Sequence, residues 1–272
     1  MIRLIREGDK EHILRFCKKD KWNGTMIWSA FLSKVLDVNN VDWRYCDIWL
    51  GTADSQKQNP QYLLCRTGQT FYLAGRPLSD SRWEELHRFL MMNQGTLKAD
   101  CRLTTEYRKR FPLPPSHKNT CHSGPRMICQ HSLQGEMFQV MPCKSLWQFY
   151  DVLASEDQEL AKHLSRDDFA ARLMFQHRGG ARSFEIRMDD RPVSVGTIVM
   201  PEDWEYSMIV NLCTLPEYRG RGYASQIVRR LCEESFADHK TPLLEGARES
   251  LEKYYRRLGF ERTDYWQSMK LY

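Results

Sequence analysis

The sequence predicts an α/β protein: a mixed β-sheet flanked by helices, preceded by a second α/β domain. Three observations carry that reading. Segments of period two alternate with segments of helical period through the second half of the chain. A strand followed by a helix opens both halves, which suggests an internal duplication. Between the halves stands 111-FPLPPSHKNTCHSGPRM-127, with four prolines and a glycine among polar residues, which reads as a linker or long loop. The expected domains are therefore 1–130 and 131–272.

The second half reads as follows. A short strand is expected at 137–141, then a helix at 145–154 with Leu146, Phe149, Tyr150 and Leu153 at helical spacing. A second helix at 166–176 stops at Gly179-Gly180. Strands follow at 183–188, at 193–200, which is rich in β-branched residues, and at 204–215. A helix at 222–236 places Ala224, Ile227, Val228 and Leu231 on one stripe. A strand at 243–247, a helix at 249–258 ended by Gly259 and a strand at 265–271 close the order β-α-α-β-β-β-α-β-α-β. In the first half, strands are expected at 2–6, 46–53, 61–65 and 69–75, and helices at 10–18 and 79–92.

Composition bounds the function. A chain of 272 residues with 42% hydrophobic and 28% charged side chains can bury a core without staples. The net charge of +5 is scattered, with no long Lys/Arg run; it suits an anionic ligand and gives no sign of a nucleic-acid tail. Nine irregularly spaced cysteines read as thiols in a cytoplasmic protein. No apolar run has signal-peptide or membrane-spanning length. His117, Cys121, His122, Cys129 and His131 match no common zinc spacing and read as loop, so no metal is expected. The aromatics of 22-WNGTMIW-28 and 43-WRYCDIW-49 read as core.

The chemistry concentrates in 216-PEYRGRGYASQIVRRL-231. A helix leaves its first N–H groups unpaired, and its dipole makes that end partly positive. Gly220 and Gly222 let those groups approach a phosphate, Ala224 is small enough not to block it, and Arg219 and Arg221 can add charge-assisted bonds. The loop reads as a pyrophosphate cradle. Neither the P-loop nor the dinucleotide Gly-x-Gly-x-x-Gly pattern is present.

Arg219-x-x-Gly222-x-Ala224, after a strand and a proline, resembles motif A of the GNAT superfamily of acyl-CoA-dependent N-acyltransferases. Downstream, 254-YYRRLGF-260 is similar to the family's Phe/Tyr-Tyr-x-x-x-Gly-Phe ending. The resemblance covers about residues 135–272 and implies a GNAT-like domain preceded by a degenerate GNAT-like or accessory one. It implies acetyl-CoA as co-substrate and acetyl transfer to a primary amine by direct attack, the acceptor being a small molecule or peptide. Leu212, Cys213 and Thr214 would hold pantetheine through the strand backbone. Arg219, Gly220, Arg221, Gly222, Tyr223, Ala224 and Ser225 would hold the pyrophosphate. Tyr255 maps to the general acid that protonates the departing thiolate. The N–H of Leu212 or Cys213 is the expected oxyanion donor.

The sequence departs from the family where a base is sought. Arg248 stands where many relatives have asparagine, Leu243 where some have glutamate, and Asn211 where others have a carboxylate. Glu245, two residues beyond Leu243 and on the same strand face, is the favoured base, with Glu202 or Glu205 acting through water as rivals. Cys213 reads as a small buried residue and not as a nucleophile. The missing obvious base leaves a second reading open, an acyl-CoA-binding module without turnover. Oligomeric state is not written in the sequence.

Overall fold

The computed structural model describes residues 1–35, 46–52, 60–113, 121–131 and 140–271. The chain forms two compact units: Met1–Arg126 with Gly246–Glu249 and Thr263–Tyr272, and Met127–Glu245 with Ser250–Arg262.

The first unit carries β1 (Ile2–Leu4), α1 (Lys10–Lys19), α2 (Lys21–Val35), β2 (Cys46–Thr52), β3 (Pro60–Thr67), β4 (Thr70–Gly75), α3 (Asp80–Asn93), β5 (Thr96–Asp100), α4 (Cys101–Arg110) and the start of β6 (Cys121–Cys129). The second carries β7 (Met141–Pro142), α5 (Leu146–Ala154), α6 (Gln158–His163), α7 (Arg166–Arg178), β8 (Ala181–Met188), β9 (Arg191–Val199), β10 (Tyr206–Thr214), α8 (Tyr223–Ala237), β11 (Thr241–Glu245), α9 (Glu252–Arg257) and the start of β12 (Phe260–Lys270). Apart from α6, the two runs of elements have the same order.

The first unit's sixth strand comes from the end of the sequence, and the second unit's from its middle. In the first unit the strand order is β1-β2-β3-β4-β5-β12; in the second it is β7-β8-β9-β10-β11-β6. β12 pairs antiparallel with β5 from Trp266↔Asp100 to Lys270↔Thr96, and its Met269 lies opposite Leu97 in the first unit's core. The division expected near residue 130 thus lies just past the end of a strand, and 263–272 group with the first unit.

Local sequence explains most elements. Ser145 accepts from Gln148 N to cap α5, Ser165 from Asp168 N to cap α7, and Asp157 from Leu160 N to cap α6. α8 starts at Tyr223, and its buried stripe is Tyr223, Ile227, Val228 and Leu231, with Ala224 half-buried beside it. The strand expected at 137–141 lies largely outside the described residues, of which Met141–Pro142 is extended. The stretch 111–127 is not all linker, since β6 begins at Cys121. α2 is buried nearly all round, with Trp22, Asn23, Gly24, Ile27 and Trp28 all inside, so no polar stripe marks it as a helix in the sequence.

The first unit's core packs α3 on the sheet through Trp83, Leu86 and Leu90. Here β4 pairs with β5 in parallel from Thr70↔Thr96 to Tyr72↔Lys98, then continues to Gly75 against β3 alone. Beyond Tyr72 the two strands part. The carbonyl of Leu73, inside that gap, accepts a buried hydrogen bond of 3.0 Å from Nδ2 of Asn23 on α2.

In the second unit one core lies between the sheet and α8, with Ile209, Ile227, Leu231, Leu244, Tyr255 and Phe260. Another lies between the opposite face and α5 and α7, with Phe149, Leu153, Phe169 and Val195.

Candidate active site

The second unit's central strand is broken where the chemistry is expected. β10 pairs with β9 at Val210↔Thr197 and again at Cys213↔Val195, so three steps on β10 face two on β9. The extra residue is a β-bulge, and Asn211 within it has φ +54°. Asparagine is among the few residues with a side chain that enter this left-handed region readily. The same residue that cannot act as a base is therefore the one that lets the strand turn.

Pairing with β11 stops beside the bulge. β10 and β11 run parallel from Tyr206↔Thr241 to Ile209↔Leu244, while the β9 side continues to Thr214↔Ser194. Beyond Ile209 the strands part. Alternation decides which groups face the gap. Leu215 N donates to Val193 O, and the Cys213 carbonyl accepts from Ser194 Oγ at 3.3 Å, so 213 and 215 turn their backbone groups to β9. Leu212 and Thr214 turn theirs the other way. The Thr214 carbonyl accepts from Arg219 Nε at 3.1 Å, which leaves Leu212 as the residue whose N–H and C=O face the gap.

A turn at Pro216–Tyr218 follows, and then Gly220 at φ +73° and Gly222 at φ +84° bring the chain to α8. A Cβ at either glycine would meet nothing within 4 Å, so they serve the left-handed backbone and leave open space above it. The first bond of the α8 ladder runs from Gln226 N to Gly222 O, so the N–H groups of Tyr223, Ala224 and Ser225 find no carbonyl within the helix. Open space above these first N–H groups of the helix fits an anion.

The arginines are arranged differently from the sequence expectation. Arg219 braces the loop through Thr214 O and an ion pair with Glu156. Arg221 folds back over the Tyr218 ring, 5.3 Å from its centroid, and donates to Glu217 O. The Ser225 hydroxyl lies 3.1 Å from the hydroxyl of Tyr254, which ties α9 to the first turn of α8; the sequence reading passed over Tyr254. Tyr255 packs edge-on against Tyr254 and Phe260 within the α8-side core. Burial, helped by Tyr254, holds its hydroxyl well above the usual phenol range, so it keeps its proton.

Among the carboxylates, position separates the candidates. Glu245 follows Leu244, whose partner is Ile209, so it ends β11 beside the bulge and is half-buried. Glu205 precedes the other end of β10, six residues from Asn211, a span of about 20 Å. Glu202 lies farther back, and both are exposed. Arg248 is exposed. The Cys213 thiol is pushed up to about 11 by burial and by Glu156, and its hydrogen goes to Val152 O, so it is no thiolate. Among the described residues no three His, Cys, Asp or Glu side chains gather as a metal site, and His117 lies outside them. No helix among them is long and apolar enough to cross a membrane.

Residues 180–262 match the family model described as an acetyltransferase (GNAT) domain. No curated protein matches the chain. Among solved structures, a Drosophila protein superposes with TM-score 0.67 at 10% identity, covering 98% of each chain. A tandem GNAT protein of the clavulanic acid biosynthesis pathway gives 0.63 at 10% identity, covering 100% of this chain and 98% of its own. A GNAT-family protein from Novosphingobium aromaticivorans gives 0.55 at 17% identity, covering 76% and 86%. At these identities the superpositions speak for the fold, which is that of a tandem GNAT protein. The family model, matched across the bulged strand, the glycine loop and α9, places the segment 180–262 in the GNAT acetyltransferase domain family.

Proposed function

We propose that the second unit transfers an acetyl group from acetyl-CoA to a primary amine by direct attack within a ternary complex. The observation that carries this reading is the coincidence of two features at one end of β10. The Asn211 bulge opens the strand from β11, and the glycine loop leaves open space at the head of α8, where the N–H groups of Ala224 and Ser225 precede the first bond of the helix ladder.

The residues divide the work. Tyr223, Ala224 and Ser225 bind the pyrophosphate through backbone N–H groups, and Leu212 offers its N–H and C=O to pantetheine amides or to the thioester oxygen. Glu245, directly or through a water, takes a proton from the acceptor ammonium and frees the amine that attacks. As the nitrogen–carbon bond forms and the carbon–sulfur bond breaks, Tyr255 donates to the departing thiolate, the nitrogen releases its second proton to solvent, and Tyr255 regains its own from solvent. Cys213 takes no covalent part. The acceptor is a small amine or a peptide amine.

Calorimetric titration with acetyl-CoA, followed by thiol release across a panel of amines, tests the reading. Micromolar binding lost in Gly222→Trp, and amine-dependent thiol release reduced in Tyr255→Phe, is the expected result. Binding without thiol release from any amine, unchanged by Tyr255→Phe, would establish a non-catalytic acyl-CoA module instead. No binding would end both readings.

A further inference from the structure

Beside the cradle lies a pair of cations that the proposed chemistry does not use. Asp189 and Asp190, with φ +45° and +60°, form the tight turn between β8 and β9 and fix Arg191 at the first position of β9. Since Ser194 pairs with Thr214 and Leu215 N bonds to Val193 O, Arg191 lies past the end of β10, alongside the 215–222 loop. Its guanidinium stands 5.5 Å from the Tyr218 ring centroid and donates to the Tyr218 hydroxyl and Glu217 Oε1, both at 3.2 Å. Arg221 stands 5.3 Å from the same centroid. The Tyr218 ring is in turn 6.4 Å from that of Tyr223, the first residue of α8.

Two guanidiniums therefore share one phenol ring beside the head of α8. Glu217 balances one of them, through an exposed pair that a stronger anion displaces at little cost. Arg191 and Glu217 are both more than half exposed, so a ligand reaches them. An arginine fork matches the oxygens of a phosphate monoester.

We propose that Arg191 and Arg221, stacked on Tyr218, form a second phosphate subsite that takes the ribose 3′-phosphate of coenzyme A. This rests on the acyl-CoA reading above and extends it. Coenzyme A carries one phosphate besides its pyrophosphate, and the pair of arginines lies beside the donors assigned to the pyrophosphate but is not part of them. The subsite makes the protein discriminate between coenzyme A and its 3′-dephospho form, which the helix N-terminus and the strand backbone cannot tell apart.

The test is calorimetric affinity for coenzyme A and for 3′-dephospho-coenzyme A, on the full chain and on Arg191→Gln. The wild type is expected to prefer coenzyme A by on the order of 10-fold or more, the worth of a charge-assisted pair. In Arg191→Gln that ratio falls toward one. Equal affinities in the wild type, or a ratio unchanged by the substitution, overturn the subsite and leave the acyl-CoA reading standing. Binding of neither compound removes the acyl-CoA reading, and the subsite with it.

Discussion

The gap between β4 and β5 in the first unit and the gap between β10 and β11 in the second are the same construction put to different ends. In both, a parallel pair parts while one strand continues against its other neighbour. In the first unit the register against β3 is unbroken, and β4 reaches α3 through the short connection 76–79 with Ser79 as its cap. In the second a bulge turns the strand, and the longer connection 215–222 carries two left-handed glycines. The first gap is already occupied: Asn23 places its carboxamide on the Leu73 carbonyl, where a ligand amide would bond in the second. Gly75, at the end of β4, has no room above it either, because an added Cβ would come within 2.6 Å of Gln61 O. An opening in a sheet becomes a binding site only when nothing in its own unit satisfies the exposed backbone.

That contrast can be broken at three points. The largest effect is expected at the bulge. Asn211→Val puts a β-branched residue at φ +54°, a strain of about 1–3 kcal/mol. If the strand straightens, the oxyanion donor is lost and kcat/KM for acetyl transfer falls by roughly 100-fold. Asn211→Gly should retain most of the activity, and equal activity in both variants would deny the bulge a role. Next is the plug. Asn23→Ala leaves a buried carbonyl unpaired and should cost about 1–3 kcal/mol of stability by denaturant titration. The wild type should bind one acetyl-CoA per chain, and two equivalents would show the first gap to be open. The smallest effect is common to both units. Burial holds His87 and His177 below their ordinary range. The unfolded chain then takes up protons that the folded chain refuses, so stability is fully present above about pH 6.5 and declines as pH falls from there toward the folded values. His177→Gln should flatten part of that slope in urea titrations between pH 7 and 5.

What the sequence disclosed follows the range of each interaction. The glycine loop, the Tyr254-Tyr255 run and most strands and helices of the second unit are local patterns, and local patterns are legible. Asn211 carries a signal beyond the missing carboxylate: an asparagine inside an apolar strand is also a candidate for positive φ. α2 shows no helical stripe because it is buried nearly all round, polar Asn23, Thr25, Ser29 and Ser33 included, and it holds Gly24, where a Cβ would collide with the Cys17 backbone. α6 is not among the expected helices; its local signal is its cap, Asp157, and not a hydrophobic spacing. Most remote from local pattern is the exchange of β6 and β12, which depends on contacts more than a hundred residues apart.

That exchange bears on how the protein is made. A ribosome releases the first five strands of the first unit long before the residues that complete its sheet. Until 263–271 emerge, β5 is a bare edge able to recruit a strand from a neighbouring nascent chain. The two halves thus cannot be expressed as simple N- and C-terminal fragments. Release at residue 262 should give a product that aggregates, and one that a synthetic peptide of the missing strand can rescue.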